Sequence, residues 1–337
     1  MTDSQQRQET EAIELARIAE LYYYQHLKQA DIGERFGISK MQVSRLLRRA
    51  LERGIVEILI HYPLAVDHEL SSRLADRYGL EEAVVVEDAG QTPRDAIAHA
   101  AAQYLVGHLP ASTTLAVAWS SMVAATAELL PKRPLGSTRV VQMIGAVTMS
   151  ANRANPFDAC TKLGRALSAE TFPLHAPAFL ESKSARETLL SEAPIARTLA
   201  LARKADCAII GIGNTTPEST FCKAGFVTPR EMEVLAGRGA VGDVLGQFFD
   251  IHGGPVPWRL SGNVVGLTLE DLGRIRTVIG VAGGDDKRTA ILGALRGRML
   301  SVLITDKDTA DYLLSEPRAA APAGTEVPST RLRRGDT

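Results

Sequence analysis

The chain has 337 residues, 45% hydrophobic and 23% charged, with 38 Lys+Arg against 39 Asp+Glu and a formal net charge of −1. That length predicts two domains with enough core to do without disulfide staples. The neutral balance excludes a chain that is basic throughout but leaves room for a local basic surface. Cys160, Cys207 and Cys222 are odd in number and widely spaced, so they make neither a disulfide framework nor a CxxC metal site, and a reducing cytoplasm fits best. The polar N-terminus MTDSQQRQETE does not read as a signal peptide. No uninterrupted apolar run approaches the ~20 residues of a membrane helix.

Residues 12–27 place Ile13, Ala16, Leu21 and Tyr24 at helical spacing, and a second short helix follows at 29–36. Gly37 interrupts it. A third helix then runs from an N-cap at Ser39 to a C-cap at Gly54, with Val43, Leu46, Leu47 and Leu51 toward a core. Residues 55–61 alternate like a strand that Pro63 ends.

From about residue 67 the texture changes to strands alternating with helices. Helices are expected at 67–79, 93–109, 121–130 and 287–297, and strands at 83–87, 114–119, 140–147, 205–213, 278–284 and 299–305. Buried apolar strands joined by helices predict an α/β domain with a mainly parallel sheet. The Pro-, Ala-, Gly- and Thr-rich stretch 318–337 reads as a disordered tail. The resulting division is 1–60, 61–317 and 318–337.

Two short helices, a glycine turn and a basic third helix make a helix-turn-helix signature. Within 39–53 lie Lys40, Arg45, Arg48, Arg49 and Arg53 against the single acid Glu52, so positive charge is concentrated there. A helix fits the major groove and its early residues reach base edges. Lys40, Gln42 and Ser44 are therefore the candidates for base contact, with Arg45 able to pair with guanine edges, Arg48 and Arg49 are the candidates for phosphates, and Ser39 joins them in the DNA-binding set. An ordinary amphipathic helix with solvated arginines is the alternative. The agreement of the short preceding helix, Gly37 and Ser39 favours DNA binding.

Several stretches resemble the SorC family of bacterial transcriptional regulators. They are AELYYYQHLKQADIGERFGISKMQVSRLLRRALERGIVEI, GRGAVGDVLGQFFDIHG (237–253), GVAGGDDKRTAILGALRG (280–297) and VLITDKDTADYLL (302–314), with GIGN (211–214) and VVQMIGAV (140–147) in support. The resemblance covers about 12–315. It implies an N-terminal helix-turn-helix and an effector domain resembling sugar-phosphate isomerases and glucosamine-phosphate deaminases. It also implies a sugar, polyol or phosphorylated derivative as effector, and a homo-oligomer, tetramer or dimer, on operator DNA. No cofactor, metal or membrane is implied.

By the same resemblance, Asp243 in AVGD matches the carboxylate that receives sugar hydroxyls, and Lys287 after AGGDD matches the lysine of that pocket. The turn AWSSM (118–122) falls where many members hold phosphate or hydroxyls, which makes Trp119, Ser120 and Ser121 candidates. It departs from the Gly- and Thr-rich turn of phosphate binders, so a free sugar or polyol competes with a phosphorylated one. In ANRANPFD (151–158), Asn155 and Arg153 are further candidates. Plainer roles stand beside these: Asp243 as the cap of a helix at 243–249, Lys287 as a solvated first-turn residue, the serines as caps.

The implied function is a repressor of a carbohydrate or polyol catabolic operon. The rival is a sugar-phosphate isomerase or deaminase on the same sheet, with Asp243 and Lys287 as base and cation. Against it, the seven histidines form no metal-like cluster, and HExxH, GxSxG and GxxxxGK[ST] are absent. The basic N-terminal helix also has no place in such an enzyme. A third reading has the helix-turn-helix docking a protein such as RNA polymerase, as sigma-factor helices resemble it.

Overall fold

The computed structural model describes residues 3–56, 64–87, 90–147 and 156–317. The chain separates into two compact units, Met1–Pro63 and Leu64–Thr337. The expected strand at 55–61 lies mostly outside the described residues, as do the expected tail at 318–337 and both Arg153 and Asn155.

The first unit holds α1 (Asp3–Tyr23), α2 (Gln29–Phe36) and α3 (Lys40–Glu52). Its core is Leu15, Ile18, Ala19 and Leu21 of α1, Ile32 of α2, and Val43, Leu47 and Ala50 of α3. This corrects the expected faces. Of the α1 set only Leu21 is buried, whereas Ile13, Ala16 and Tyr24 are exposed. In α3, Ala50 takes the place expected for Leu51. From Val43 and Leu47 the next position on the same stripe is residue 50, and residue 51 has rotated roughly 100° past it.

The turn between α2 and α3 is held by backbone geometry. Gly37 sits at φ 66°, and the Ile38 N–H donates to the Gly33 carbonyl at 2.9 Å. Ser39 and Gln42 form a reciprocal capping box at the start of α3. Gly33 lets the turn close, because a Cβ there would stand 2.6 Å from the Ile38 carbonyl oxygen.

The second unit is built on seven strands: β1 (Glu82–Val86), β2 (Thr114–Val117), β3 (Arg139–Gln142), β4 (Glu170–Phe172), β5 (Cys207–Gly211), β9 (Thr277–Val281) and β10 (Val302–Asp306). All pair in parallel, in the order β1-β10-β9-β5-β2-β3-β4. Between β5 and β9, the strands β6 (Gly213–Asn214), β7 (Ala240–Val244) and β8 (Gln247–Asp250) make a separate antiparallel sheet. Leu245 and Gly246, both at positive φ, turn β7 into β8. That hairpin rules out the helix considered at 243–249.

Helices cover both faces of the parallel sheet. Leu115, Val117, Cys207 and Ile209 pack with α5 (Pro93–His108), α6 (Ser121–Leu129) and α7 (Pro156–Leu167). The alternate residues Ala116, Ala208 and Ile210 face the other way. There they meet α4 (His68–Tyr78), α9 (Ala193–Arg203), α13 (Arg288–Arg296) and α14 (Lys307–Ser315). Alternation with both faces buried is what a parallel sheet between two helical layers demands. The remaining helices α8 (Lys183–Ser191), α10 (Thr220–Lys223), α11 (Pro229–Gly237) and α12 (Leu269–Leu272) are short, and no periodicity had marked them.

Replacing Gly33 with alanine should destabilise the first unit by about 1–3 kcal/mol, because the added methyl meets backbone that cannot step aside. Gly107, on α5, has open space around its Cβ position. Gly107→Ala should instead be neutral or stabilising. Hydrogen exchange across 29–52 and thermal melts of the full chain test the contrast; equal behaviour of the two variants would contradict it.

Candidate functional site

The winding of the sheet locates the site. From β2 the chain moves outward through β3 and β4, then returns to place β5 on the other side of β2. Ligands bind at such a switch point, outside the carboxyl ends of the strands. A cavity of about 470 Å³ opens there. Its walls come from the turns after β2 (Trp119–Met122), β5 (Gly211–Asn214) and β9 (Gly283, Gly284, Asp286, Lys287), with Asp243 of β7.

The sequence candidates Trp119, Ser120, Ser121, Asp243 and Lys287 thus line one space. Asp243 is buried and accepts a hydrogen bond from the Gly246 N–H at 3.3 Å. Burial, only partly offset by that hydrogen bond and by Lys287, pushes its carboxyl up to about 7. Lys287 is half-buried rather than solvated, and desolvation lowers its pKa against the pull of Asp286 and Asp243. Ser120 does cap α6: its Oγ accepts from Met122 N–H at 3.1 Å and Val123 N–H at 3.5 Å. The Ser121 carbonyl accepts from Arg94 Nη2 at 3.2 Å.

Glycine is missing from the AWSSM turn but present across from it. A Cβ on Gly211 would collide with Ser120 Oγ, and one on Gly213 with Asp243 Oδ1. Those glycines make room for the site's own side chains. Trp119 is a buried wall residue, 5.3 Å between ring centroids from Phe221. Its indole Nε1 is buried with no hydrogen-bond partner among the described residues.

Sequence reasoning missed Arg94, Asn214, Glu218, Lys223 and Asp286, all of which line the cavity. Asn214 Nδ2 donates to Asp286 Oδ2 at 2.5 Å and so holds the AGGDDK turn against β6. The GIGN and AGGDDK stretches already contained two of these residues. Arg94 and Lys223 carried no signal, because their helices reach the cavity only through the fold.

The first unit presents the second candidate surface. Lys40, Gln42, Ser44, Arg45, Arg48 and Arg49 are all exposed on α3. Of these and Ser39, three side chains are nonetheless engaged within the unit. Ser39 Oγ accepts the Gln42 N–H at 3.2 Å while Gln42 Oε1 accepts the Ser39 N–H at 2.7 Å. Arg49 pairs with Glu11 of α1 at 2.6 Å, as does Arg53 at 3.2 Å.

Known proteins share both units. A family model described as "Putative sugar-binding domain" matches residues 62–315, and one for sigma-70 region 4 matches 14–53. The transcriptional regulator LsrR of Enterobacter sp. (strain 638) is 31% identical over 310 residues, covering 91% of this chain and 94% of that protein. The sorbitol operon regulator of Klebsiella pneumoniae is 30% identical over 305 residues, covering 89% of this chain and 97% of its own. The chain belongs to the SorC family of transcriptional regulators. The crystal structure of full-length SorC from Klebsiella pneumoniae matches with a TM-score of 0.68 at 29% identity, over 90% of this chain and 99% of that one. This SorC-family member is accordingly a DNA-binding regulator with a sugar-binding domain. The family consists of regulators, so the isomerase or deaminase alternative falls. No helix among the described residues is long and apolar enough to cross a membrane.

The raised carboxyl of Asp243 has a pH signature. Unfolded, the group ionises near 3.8; folded, near 7. Its contribution to stability is therefore full below about pH 4 and lost as pH rises through 7. Asp243→Asn keeps the acceptor for the Gly246 N–H and removes the buried charge. Melts of the variant and the parent should converge near pH 4, with the variant more stable by ~2 kcal/mol or more at pH 8. Parallel curves would contradict the assignment.

Proposed function

We propose that this regulator is a cytoplasmic repressor of a carbohydrate or polyol catabolic operon, released from its operator by a polyhydroxylated effector. Residues 1–60 read DNA. Residues 61–317 bind the effector and hold a homo-oligomer together. A dimer sets two recognition helices about one turn of DNA apart, and a tetramer bridges two sites.

The observation that carries the effector reading is the buried Asp243 lining the same cavity as Lys287 and Asn214. A carboxylate accepts from sugar hydroxyls, and an ammonium and an amide donate to them. Ser120 Oγ already covers two N–H groups at the start of α6, which weakens the case for an anion at that terminus. Arg94 and Lys223 keep a phosphorylated derivative within reach of cations. Names among the relatives point to the same chemical class: a sorbitol operon regulator, an erythritol catabolism regulatory protein in Brucella abortus and a deoxyribonucleoside regulator in Bacillus subtilis.

The effector acts only if it binds one arrangement of the oligomer better than another. Occupation of the cavity then changes operator affinity without touching α3. Release is the simpler sense, because loosening a bridged complex takes only a preference for the unbridged arrangement.

Thermal stability read against free and phosphorylated sugars and polyols tests the pocket. A ligand at 100 times its Kd should stabilise the chain by about 2.7 kcal/mol. Operator binding and effector response should then separate by site. Arg45→Ala weakens DNA binding at least tenfold and leaves effector stabilisation intact. Asp243→Ala keeps DNA binding and abolishes the response. A normal effector response in Asp243→Ala would move the pocket elsewhere.

A further inference from the structure

The recognition helix carries one side chain that solvent exposure does not explain. Met41 is 70% exposed, in the first turn of α3. It stands between Lys40 and Gln42, which are exposed and polar. Burial of Val43, Leu47 and Ala50 fixes which way the helix faces. At about 100° per residue, the meridian opposite those three passes through Met41 and Arg45, one turn apart, with Arg48 beside them and Glu52 at the C-terminal end of the helix. The other early candidates sit off that line or are committed within the unit. Ser39 Oγ and Gln42 Oε1 close the capping box, and Arg49 turns along the flank to Glu11.

An apolar side chain at the centre of a basic surface needs an apolar partner in a polyanionic setting. The floor of the major groove offers one: the C5-methyl group of thymine, the apolar mark in its pattern of donors and acceptors. The first residues of a recognition helix lie closest to the base edges. Arg45 and Arg48 on either side draw the helix to the duplex by charge, so Met41 is carried to the groove floor rather than to an apolar protein surface.

We propose that Met41 is a specificity-determining residue that reads a thymine methyl in each operator half-site, beside a base or phosphate contact made by Arg45. The proposal rests on α3 being the recognition helix. It adds to the basic contacts a position read by shape and apolar contact alone, which salt would barely affect.

The test uses the full-length protein and a duplex selected by it from a random-sequence library. Each thymine of the selected half-site is replaced in turn by deoxyuridine, which removes one methyl and keeps every hydrogen-bonding group. One position should weaken binding about fourfold, the factor that follows from burying one methyl-sized group. Met41→Ala should bind the thymine and uracil duplexes equally at that position, at the affinity of the parent for uracil. Met41→Leu should retain the discrimination. Since Met41 is exposed, melting of the variants should match the parent.

Thymine-to-uracil insensitivity of the parent at every position would overturn the proposal. So would an unchanged thymine preference in Met41→Ala. Failure to recover any duplex would instead overturn the assignment of α3 as the recognition helix, and this proposal with it.

Discussion

The reversal of winding between β2 and β5 is the constraint on which the effector domain depends. Adjacent parallel strands whose connections leave in opposite directions cannot have the space beyond their ends filled by either crossover. In this chain that space receives the turns after β2, β5 and β9 together with the β7–β8 hairpin. Residues from Thr92 to Lys287 meet there although nearly two hundred positions separate them. Gly211 and Gly213 then decide which side chains enter, because any Cβ at either position would displace Ser120 or Asp243.

Placing Asp243 in that space has an electrostatic consequence. A carboxyl so buried is held near neutrality, and the nearby ammonium of Lys287 is itself partly desolvated. Neither group is at its most stable alone, so a hydroxyl-rich occupant supplying hydrogen bonds to both would be held there. Asn214 limits the freedom of the site by tying Asp286, and with it the Lys287 turn, to the small sheet. The turn that carries Lys287 is thereby joined through β6 to the hairpin that carries Asp243. That is the kind of coupling an allosteric domain requires, since a ligand must favour one discrete arrangement over another.

The DNA-reading unit divides its polar groups between building the helix and presenting it. Ser39 and Gln42 spend their oxygens on the capping box, and Glu11 holds Arg49 and Arg53 against α1. Such exposed or half-exposed ion pairs contribute little stability, but they set where cationic charge sits on the helix. What remains on the outward meridian over the first turns is Met41, Arg45 and Arg48, a mixture of apolar and cationic groups, with Glu52 at the far end of the helix.

Much of this was legible in the amino-acid sequence because it is local. Ser39 as a cap, Gly37 as a turn, the basic α3 and the apolar β-strands each depend on a few neighbouring residues, and a parallel sheet follows from their alternation with helices. The faces of α1 were misjudged: Ile13, Ala16 and Tyr24 fit a helical stripe as well as Leu15 and Ile18 do, and only packing against α3 chooses between stripes. Asp243 had a helix cap as its plainer alternative until the positive φ of Leu245 and Gly246 turned its segment into a hairpin. Arg94 and Lys223 became site residues only through the sheet's winding. The sequence by itself determined the helices of the first unit, most strands of the parallel sheet, the family and the charge of the recognition helix, because short-range chemistry dictates them. Only the tertiary structure decided which residues share the cavity and which side chains face outward, because both depend on contacts between segments far apart in the chain.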